Sequence, residues 1–294
     1  MLSLPELVAL ELAQPVDARV AAMAAAIAAQ YPHAARAVLF YGSCLRSDQL
    51  DGLMLDFYLI VSSYDAAYGK SWLAAANRLI PPNVFPFAHE GLTAKFAVLS
   101  EADFARECGS GARSVSVWAR FAQPSRLVWS AGAAASGKVV TAVACAAPTL
   151  LDFTRPVTDD GGDVLALWRE GFSRTYKAEL RAERTDRSGS IVDAEPDRYR
   201  TFGEAALQGM PRLYARSARD AELAWRRLQR WGKVLSVLRL AKASFTFAGG
   251  VDYLAWKVSR HSGQPVQIKP WHRRFPLAAA VVLLPKLLAR GAVR

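Results

Sequence analysis

Several features that mark large classes of protein are scarce in this chain of 294 residues. Its three cysteines, Cys44, Cys108 and Cys145, are an odd number without metal-ligand spacing, which argues against a disulfide framework or a zinc site and favours a reducing compartment. No stretch approaches the roughly 20 uninterrupted apolar residues that span a bilayer, which argues against a multi-span membrane protein. The Ala-rich segment 1–31 lacks a leading basic region, so we expect two helices there rather than a signal peptide.

Acidic residues are outnumbered, because 26 Asp and Glu stand against 37 Lys and Arg and leave a net charge of +11. This excess indicates an anionic partner, and charge alone does not choose among nucleic acid, nucleotide and an anionic membrane surface. Apolar residues make up 52% of the chain, which is enough to form a substantial core.

The first half of the chain alternates strand and helix patterns. The apolar runs with strand character lie at 37–41, 53–61 and 92–99. The second run is apolar on both faces, as a central strand is, and Asp56 is its one anomaly. A helical segment at 68–79 ends at the helix-breaking pair Pro81-Pro82, and Ser100 matches the N-cap of another helix. This alternation predicts an α/β or α+β fold.

The second half differs in composition. A stretch with Pro and Gly that begins at residue 154 is typical of a linker, and the sequence after it is mainly helical with dense Arg and Glu. We therefore predict a first domain over 1–153, a helical second domain over 154–265 and a tail over 266–294.

The tail is basic and aromatic, and its apolar run of about 15 residues is broken by Pro285 and too short to span a bilayer. These features are typical of an interfacial helix on anionic lipid. The expected docking residues are Trp271, Arg273, Arg274 and Phe275. The alternative is a core helix that packs on the second domain.

The turn after the first strand run carries the candidate site. Gly42 and Ser43 follow Tyr41, and Asp56 lies 13 positions after Ser43 on the next strand. Polymerase-beta-type nucleotidyltransferases place a Gly-Ser turn and strand carboxylates in this order. Backbone amides at such a turn approach a triphosphate, while the carboxylates hold Mg²⁺.

The acid pair of that pattern is incomplete. Met54 stands where the first acid belongs, so Asp51 or Asp48 in the loop would have to supply a second ligand. A chance occurrence of Gly-Ser and Asp is the open alternative, although an ionised Asp in a buried strand is costly without a partner. A phosphate-loop-like sequence at 132–138 lacks the Ser or Thr that binds metal, and we discount it.

The candidate segments resemble those of a known family, the mitochondrial translocator assembly and maintenance family of CDP-diacylglycerol synthases. The matching segments are Phe40-Tyr-Gly-Ser43, Leu53-Met-Leu-Asp-Phe-Tyr-Leu-Ile-Val61 and Lys95-Phe-Ala-Val-Leu99. That family has a single strand aspartate, so the incomplete acid pair agrees with it. The resemblance covers roughly residues 37–130 and includes an Arg-x-x-x-Pro-like segment, Arg120–Pro124, before a strand predicted at 125–130. Cys44 departs from it, because the family has a second glycine there.

The resemblance implies a polymerase-beta-type nucleotidyltransferase domain followed by a winged-helix-like domain. The implied reaction transfers CMP from CTP to phosphatidic acid, with Mg²⁺, and yields CDP-diacylglycerol and pyrophosphate for phospholipid synthesis. Asp56 would bind Mg²⁺ with Asp51 as the candidate second ligand, the turn Tyr41–Ser43 would bind the nucleotide, and Lys95 would offset transition-state charge. We expect a peripheral protein at the cytoplasmic face of the inner membrane, without a nucleic-acid partner.

Other interpretations are open. Lys95 could instead protect an edge strand against aggregation. Arg174, Lys177 and Arg181 could bind the lipid phosphate, or they could belong to a solvated helix face paired with glutamates. The alternatives for the whole chain are a nucleotidyltransferase that acts on RNA or a small molecule, and a non-catalytic basic lipid-binding protein of the same fold.

Overall fold

The computed structural model describes residues 2–46, 49–158, 163–179, 187–209 and 217–246, and the fold in these ranges is mixed α and β, as predicted. The strands are β1 (Ala35–Tyr41), β2 (Met54–Val61), β3 (Asn83–His89), β4 (Leu92–Ser100) and β5 (Ser125–Ser130). The helices of the first half are α1 (Leu4–Leu12), α2 (Ala18–Ala29), α3 (Ser43–Arg46), α4 (Tyr64–Tyr68), α5 (Trp72–Leu79), α6 (Glu101–Cys108), α7 (Trp118–Phe121), α8 (Ala133–Ala144) and α9 (Ala146–Thr154). After a 3₁₀ turn at Arg155–Val157 follow α10 (Val164–Ala178), α11 (Arg187–Ala194), α12 (Pro196–Gly209) and α13 (Ala218–Thr246).

The strands form one mixed sheet in the order β3-β4-β2-β1-β5. Strands β2 and β4 run parallel, and every other neighbouring pair is antiparallel. β2 is the middle strand, which confirms the prediction from its two apolar faces.

Strand β3 was not predicted, because Pro86 lies in its middle and Pro81-Pro82 precede it. Proline lacks an N–H donor and is tolerated in sheets mainly on edge strands. β3 is an edge strand, since its neighbour in the sheet is β4 alone. The helix predicted over 68–79 is also different, because α4 ends before Gly69 and α5 begins at Trp72.

Helices cover both faces of the sheet. On one face, α2, α4 and α5 contribute to a hydrophobic cluster with alternate residues of the strands, including Phe57 and Phe96. On the other face, Leu39, Tyr58 and Ala97 belong to a larger cluster with α1 and most helices from α6 to α13. The second face therefore lies against the helical half of the chain.

Buried polar contacts tie the two halves together. The Glu11 and Arg198 side chains of α1 and α12 form a nearly buried ion pair, with Nη2 of Arg198 2.9 Å from Oε1 of Glu11. The indole N–H of Trp225 in α13 donates to the carbonyl of Phe153 at 2.8 Å. One hydrophobic cluster thus runs through both halves, while the domain boundary predicted near residue 153 stays a prediction.

One continuous helical stretch of the described ranges, Ala133–Val157, is long and apolar enough to cross a membrane by length and composition. Half of its most apolar window is buried, and Leu150, Leu151 and Phe153 belong to the core cluster. Core helices of globular proteins have the same composition, so this stretch is weak evidence for a membrane span.

Candidate functional site

Asp56 lies in the middle of the sheet, near the end at which β1 stops. It pairs in register with Tyr41, the last residue of β1, and on its other side with Lys95 of β4. Residues paired in register on neighbouring strands direct their side chains to the same face of a sheet. The sheet therefore brings together three of the candidate residues from three separate stretches of the chain.

Lys95 and Asp56 form an ion pair with an Nζ–Oδ1 distance of 2.9 Å. Their side chains are 27% and 20% exposed, so the pair is partly shielded from water and still reachable from solvent. The edge-strand interpretation of Lys95 is wrong, because β4 lies between β3 and β2. Lys95 is instead the ion-pair partner of Asp56 on the neighbouring central strand.

Gly42 packs directly against this carboxylate. A Cβ atom added at Gly42 would lie 3.0 Å from Oδ2 and 3.4 Å from Cβ of Asp56. The backbone φ of Gly42 is 96°, a value that residues with a side chain rarely adopt. Both the close approach and the backbone conformation require glycine, so the turn after β1 forms one wall of the site around Asp56.

The residues after this glycine have different environments. Ser43 is exposed, whereas Cys44 is buried with its Sγ 3.7 Å from the carbonyl oxygen of Met54. Burial raises the pKa of the Cys44 thiol, and the negative charge of Asp56 raises it further. Cys44 is thus a neutral packing residue beneath the turn, and Ser43 is presented to solvent.

Aromatic rings line the same face of the sheet. The ring centroids of Tyr41 and Tyr58 are 5.2 Å apart, and both rings contact Phe121 of α7. Burial raises the pKa of the Tyr41 hydroxyl well above its ordinary value, and the Asp56 carboxylate raises it further. Tyr41 therefore stays protonated and can act as a neutral hydrogen-bonding group beside the carboxylate.

Two arginines that the sequence interpretation did not count as site residues lie beside Tyr58. Arg120 of α7 donates to Glu179 at 3.1 Å and to the carbonyl of Ser116, and Nη1 of Arg239 in α13 donates to the Ser116 hydroxyl at 2.6 Å. Burial alone would lower the pKa of Arg120, but Glu179 and Tyr58 hold it well above its ordinary value. The Arg-x-x-x-Pro-like segment of the resemblance includes Arg120, but its meeting with Arg239 depends on contacts between distant segments, which no local pattern encodes.

Helix α13 also holds the segment that leads into β3. Nε of Arg239 donates to the carbonyl of Pro81 at 2.7 Å, and Nζ of Lys242 donates to the carbonyl of Pro82 at 2.8 Å and to that of Ile80. Burial and, to a smaller extent, the positive charge of Arg239 together lower the pKa of Lys242 to about 7. Near physiological pH the Lys242 side chain is therefore partly deprotonated to the neutral amine.

This lowered pKa predicts a pH dependence of stability. The unfolded chain keeps Lys242 protonated up to its ordinary pKa of 10.5, so between about pH 7 and 10 the unfolded state binds more protons than the folded state. The free energy of unfolding should then rise with pH, by up to about 1.4 kcal/mol per pH unit. Urea unfolding of Lys242→Met should show a smaller rise than wild type, whereas Lys233→Met, on the exposed side of α13, should keep it. An undiminished rise in Lys242→Met would contradict the assignment.

The sequence offers Asp51 or Asp48 as a second metal ligand beside Asp56. Asp51 is exposed in the turn before β2, with its Oδ1 3.0 Å from Nη1 of Arg19, and Asp48 lies outside the described residues. In the described part of the chain, no group of three or more His, Cys, Asp and Glu side chains is arranged to hold a metal ion. Asp56 offers one carboxylate, which fits Mg²⁺ delivered with a nucleotide, because Mg²⁺ commonly binds one or two carboxylates together with substrate phosphates.

Of the three residues expected to bind the lipid phosphate, the structure describes two. Arg174 donates to Glu170 at 2.6 Å and to Glu222 of α13 at 2.7 Å, which agrees with the structural alternative of helix-face ion pairs. Lys177 is exposed, and Arg181 lies outside the described residues. Their role in lipid binding stays a prediction.

Of two further sequence features, one lies in the described part of the chain and the other does not. The phosphate-loop-like sequence is not a loop, because α8 begins at Ala133 and Lys138 of this helix pairs with Glu101 at 2.9 Å. The predicted docking residues Trp271, Arg273, Arg274 and Phe275 lie outside the described residues, as does the whole predicted tail.

Comparison with known proteins assigns no family to the chain. No protein-family model matches it, and a search of curated proteins finds no match.

Proposed function

We propose that the chain is a Mg²⁺-dependent CTP:phosphatidate cytidylyltransferase with a polymerase-beta-type nucleotidyltransferase fold. The observation that carries this proposal is the arrangement around Asp56, with the Gly42 turn against its carboxylate on one side and Lys95 on the other. The resemblance of residues 37–130 to CDP-diacylglycerol synthases supplies the substrates.

Nucleotidyl transfer needs little covalent chemistry from a protein. A phosphate oxygen of phosphatidic acid attacks the α-phosphorus of CTP, and the bond between that phosphorus and the pyrophosphate oxygen breaks. Bound Mg²⁺ would neutralise phosphate charge as it develops. The protein contributes positioning and electrostatic stabilisation, which a carboxylate, a lysine and a close-packed glycine turn can provide.

Each central residue has a distinct task in this proposal. Asp56 would hold the metal, and Gly42 would let the backbone of the turn approach the triphosphate, with Ser43 on its exposed side. Lys95 pairs with Asp56, and it lies close enough to the carboxylate to offset charge on a phosphate bound there. Tyr41 limits the site on the β1 side.

The arginine cluster supports an anionic substrate. Arg120 and Arg239 meet at Ser116, while Glu179 is the one carboxylate that hydrogen-bonds to Arg120 among the contacts described. A surplus of positive charge in a partly buried location raises the local concentration of anions. We assign to these arginines the attraction of the phosphate groups of CTP or phosphatidic acid towards the sheet.

The remaining expectations follow from the same proposal. An enzyme whose acceptor is a membrane lipid has to work at a bilayer, and a net charge of +11 favours an anionic one. We therefore propose a peripheral location at the cytoplasmic face of the inner membrane, with the tail 266–294 as one point of attachment.

Pyrophosphate release with different acceptors tests the proposal. Purified protein with Mg²⁺ and CTP should release pyrophosphate when phosphatidic acid vesicles are added, and not when a short RNA replaces them. Release with RNA alone would favour the RNA-directed alternative, and release that survives deletion of 275–294 with a water-soluble acceptor would favour a small-molecule enzyme. Absence of release with every acceptor and triphosphate would favour the non-catalytic alternative.

A further inference from the structure

Helix α13 exposes a stripe of large apolar side chains away from the core. Leu223, Trp231, Val234 and Leu238 are between 39% and 53% exposed. Their spacings of eight, three and four residues place them on one face of the helix. Residues that α13 buries, such as Trp225, lie on the opposite face.

The same exposed side of α13 is strongly basic. From residue 223 to the end of α13 the sequence contains no Asp or Glu. Arg226 has an acidic neighbour in Glu222 one turn earlier, at 3.6 Å. The exposed cations next to the stripe are Arg226, Arg227, Arg230 and Lys233. We call the apolar stripe and these four cations together the docking face.

The combination of an apolar stripe with bordering cations favours a membrane surface over nucleic acid as the anionic partner. Nucleic acid would satisfy the cations and leave aliphatic side chains in water, because its binding relies mainly on phosphate contacts. A stripe of Trp, Leu and Val bordered by Arg and Lys is the composition of helices that lie in a membrane interface. The tryptophan adds a ring that suits the boundary between headgroups and acyl chains.

We propose that the docking face of α13 binds the surface of an anionic bilayer, with its apolar stripe among the headgroups and its cations on the lipid phosphates. Leu79, at the end of α5, is also exposed, and the carbonyl of the next residue, Ile80, accepts a hydrogen bond from Lys242 of α13.

The docking face gives the bilayer a fixed relation to the candidate site. The inner side of α13 carries Arg239, which contacts Ser116, and Ser116 contacts Arg120. A bilayer on the outer side would therefore lie one helix away from the arginine cluster. This link to catalysis rests on the proposed function, whereas lipid binding by α13 does not.

Vesicle flotation with the full chain tests the proposal without any measurement of activity. Phosphatidylcholine vesicles with and without phosphatidylserine would be compared. A triple variant, Arg227→Gln, Arg230→Gln and Lys233→Gln, should weaken binding to the anionic vesicles by about 100-fold, since each cation near such a surface contributes about a fivefold effect. A double variant, Trp231→Ser and Leu238→Ser, should weaken it by roughly tenfold or more.

Matched controls separate this result from unfolding and from other partners. Leu10→Ser, at an exposed apolar residue of α1, should leave vesicle binding and the thermal midpoint unchanged. The proposal would be overturned if both docking-face variants bound vesicles as wild type does. It would also be overturned if they lost binding to a short RNA while they kept binding to vesicles. The proposal would also be overturned if a docking-face variant unfolded at a lower temperature than wild type but still bound vesicles fully. The substituted side chains would then be packed against another part of the protein and would not face a bilayer. Loss of transfer activity alone would concern the proposed function and not the docking face.

Discussion

Replacing Asp56 with asparagine should reduce transfer of CMP to phosphatidic acid by about 10³-fold, because removal of one preorganised electrostatic group costs about 10² to 10³ in rate. Asparagine keeps the shape of the side chain and removes the charge that would hold Mg²⁺. Lys95, at 2.9 Å, would lose its counter-ion but remain partly hydrated. We therefore expect a folded protein with an unchanged far-UV circular dichroism spectrum and little activity.

Asp65→Asn is the matched control for this loss. Asp65 is an exposed carboxylate of α4 that also pairs with a basic side chain, that of Arg78. Its replacement should leave the transfer rate within about twofold of wild type, as surface substitutions commonly do. A folded Asp56→Asn protein with the wild-type rate would show that the carboxylate is structural and that the chemistry, if any, lies elsewhere.

Substitution of Gly42 by alanine should have the second-largest effect. The new methyl group would lie 3.0 Å from Oδ2 of Asp56, so either the carboxylate or the turn has to move. A displacement of about 1 Å at a reacting centre can cost about 10²-fold in rate. The strained backbone, with φ of 96°, should also lower the free energy of unfolding by about 1 to 3 kcal/mol.

Gly91→Ala separates these two effects. Gly91 lies in the turn between β3 and β4 with φ of 79°, and an added Cβ there would meet no atom within 4 Å. Urea unfolding should show a similar loss of stability in both variants, while kcat falls only in Gly42→Ala. Equal kcat values in the two variants would refute the claim that Gly42 is required for its approach to Asp56.

Much of the sheet could be predicted from sequence because its strands have a strong local signature. β2 is apolar on both faces, and it is the middle strand. The strand predicted over 125–130 matches β5, and the predicted cap Ser100 accepts a hydrogen bond from the backbone N–H of Asp103 at 3.1 Å. The sequence also singles out the candidate residues locally, Asp56 and Lys95 as polar exceptions within apolar runs and Gly42 as the residue at which such a run ends.

The rest depended on contacts that no local pattern encodes. Pro86 hid β3, because proline is accepted there only through the edge position that the whole sheet creates. The place of Lys95 on an interior strand followed from β3, so the edge interpretation failed for the same reason. The sequence between 185 and 200 is mostly polar and has weak helix propensity, yet α11 and the start of α12 lie there, since burial of Tyr199 against the larger core outweighs that local propensity.

The arginine cluster shows the same limit at the candidate site. Arg120 and Arg239 are more than one hundred positions apart in the chain, and although Arg120 belongs to the Arg-x-x-x-Pro-like segment, no local pattern links it to Arg239. Their meeting at Ser116 is a product of α13 packing across the segment that enters β3. Charge composition predicted an anionic partner, but only the fold directs these charges towards the sheet.

The most direct measurement is the identification of the lipid product. The protein would be incubated with Mg²⁺, cytidine-labelled CTP and phosphatidic acid vesicles, and the lipid phase would be extracted and analysed by mass spectrometry. The proposed function predicts labelled CDP-diacylglycerol in equal amount to the released pyrophosphate, and its absence with Asp56→Asn. Folded wild-type protein that leaves the lipid phase unlabelled would contradict the proposed function.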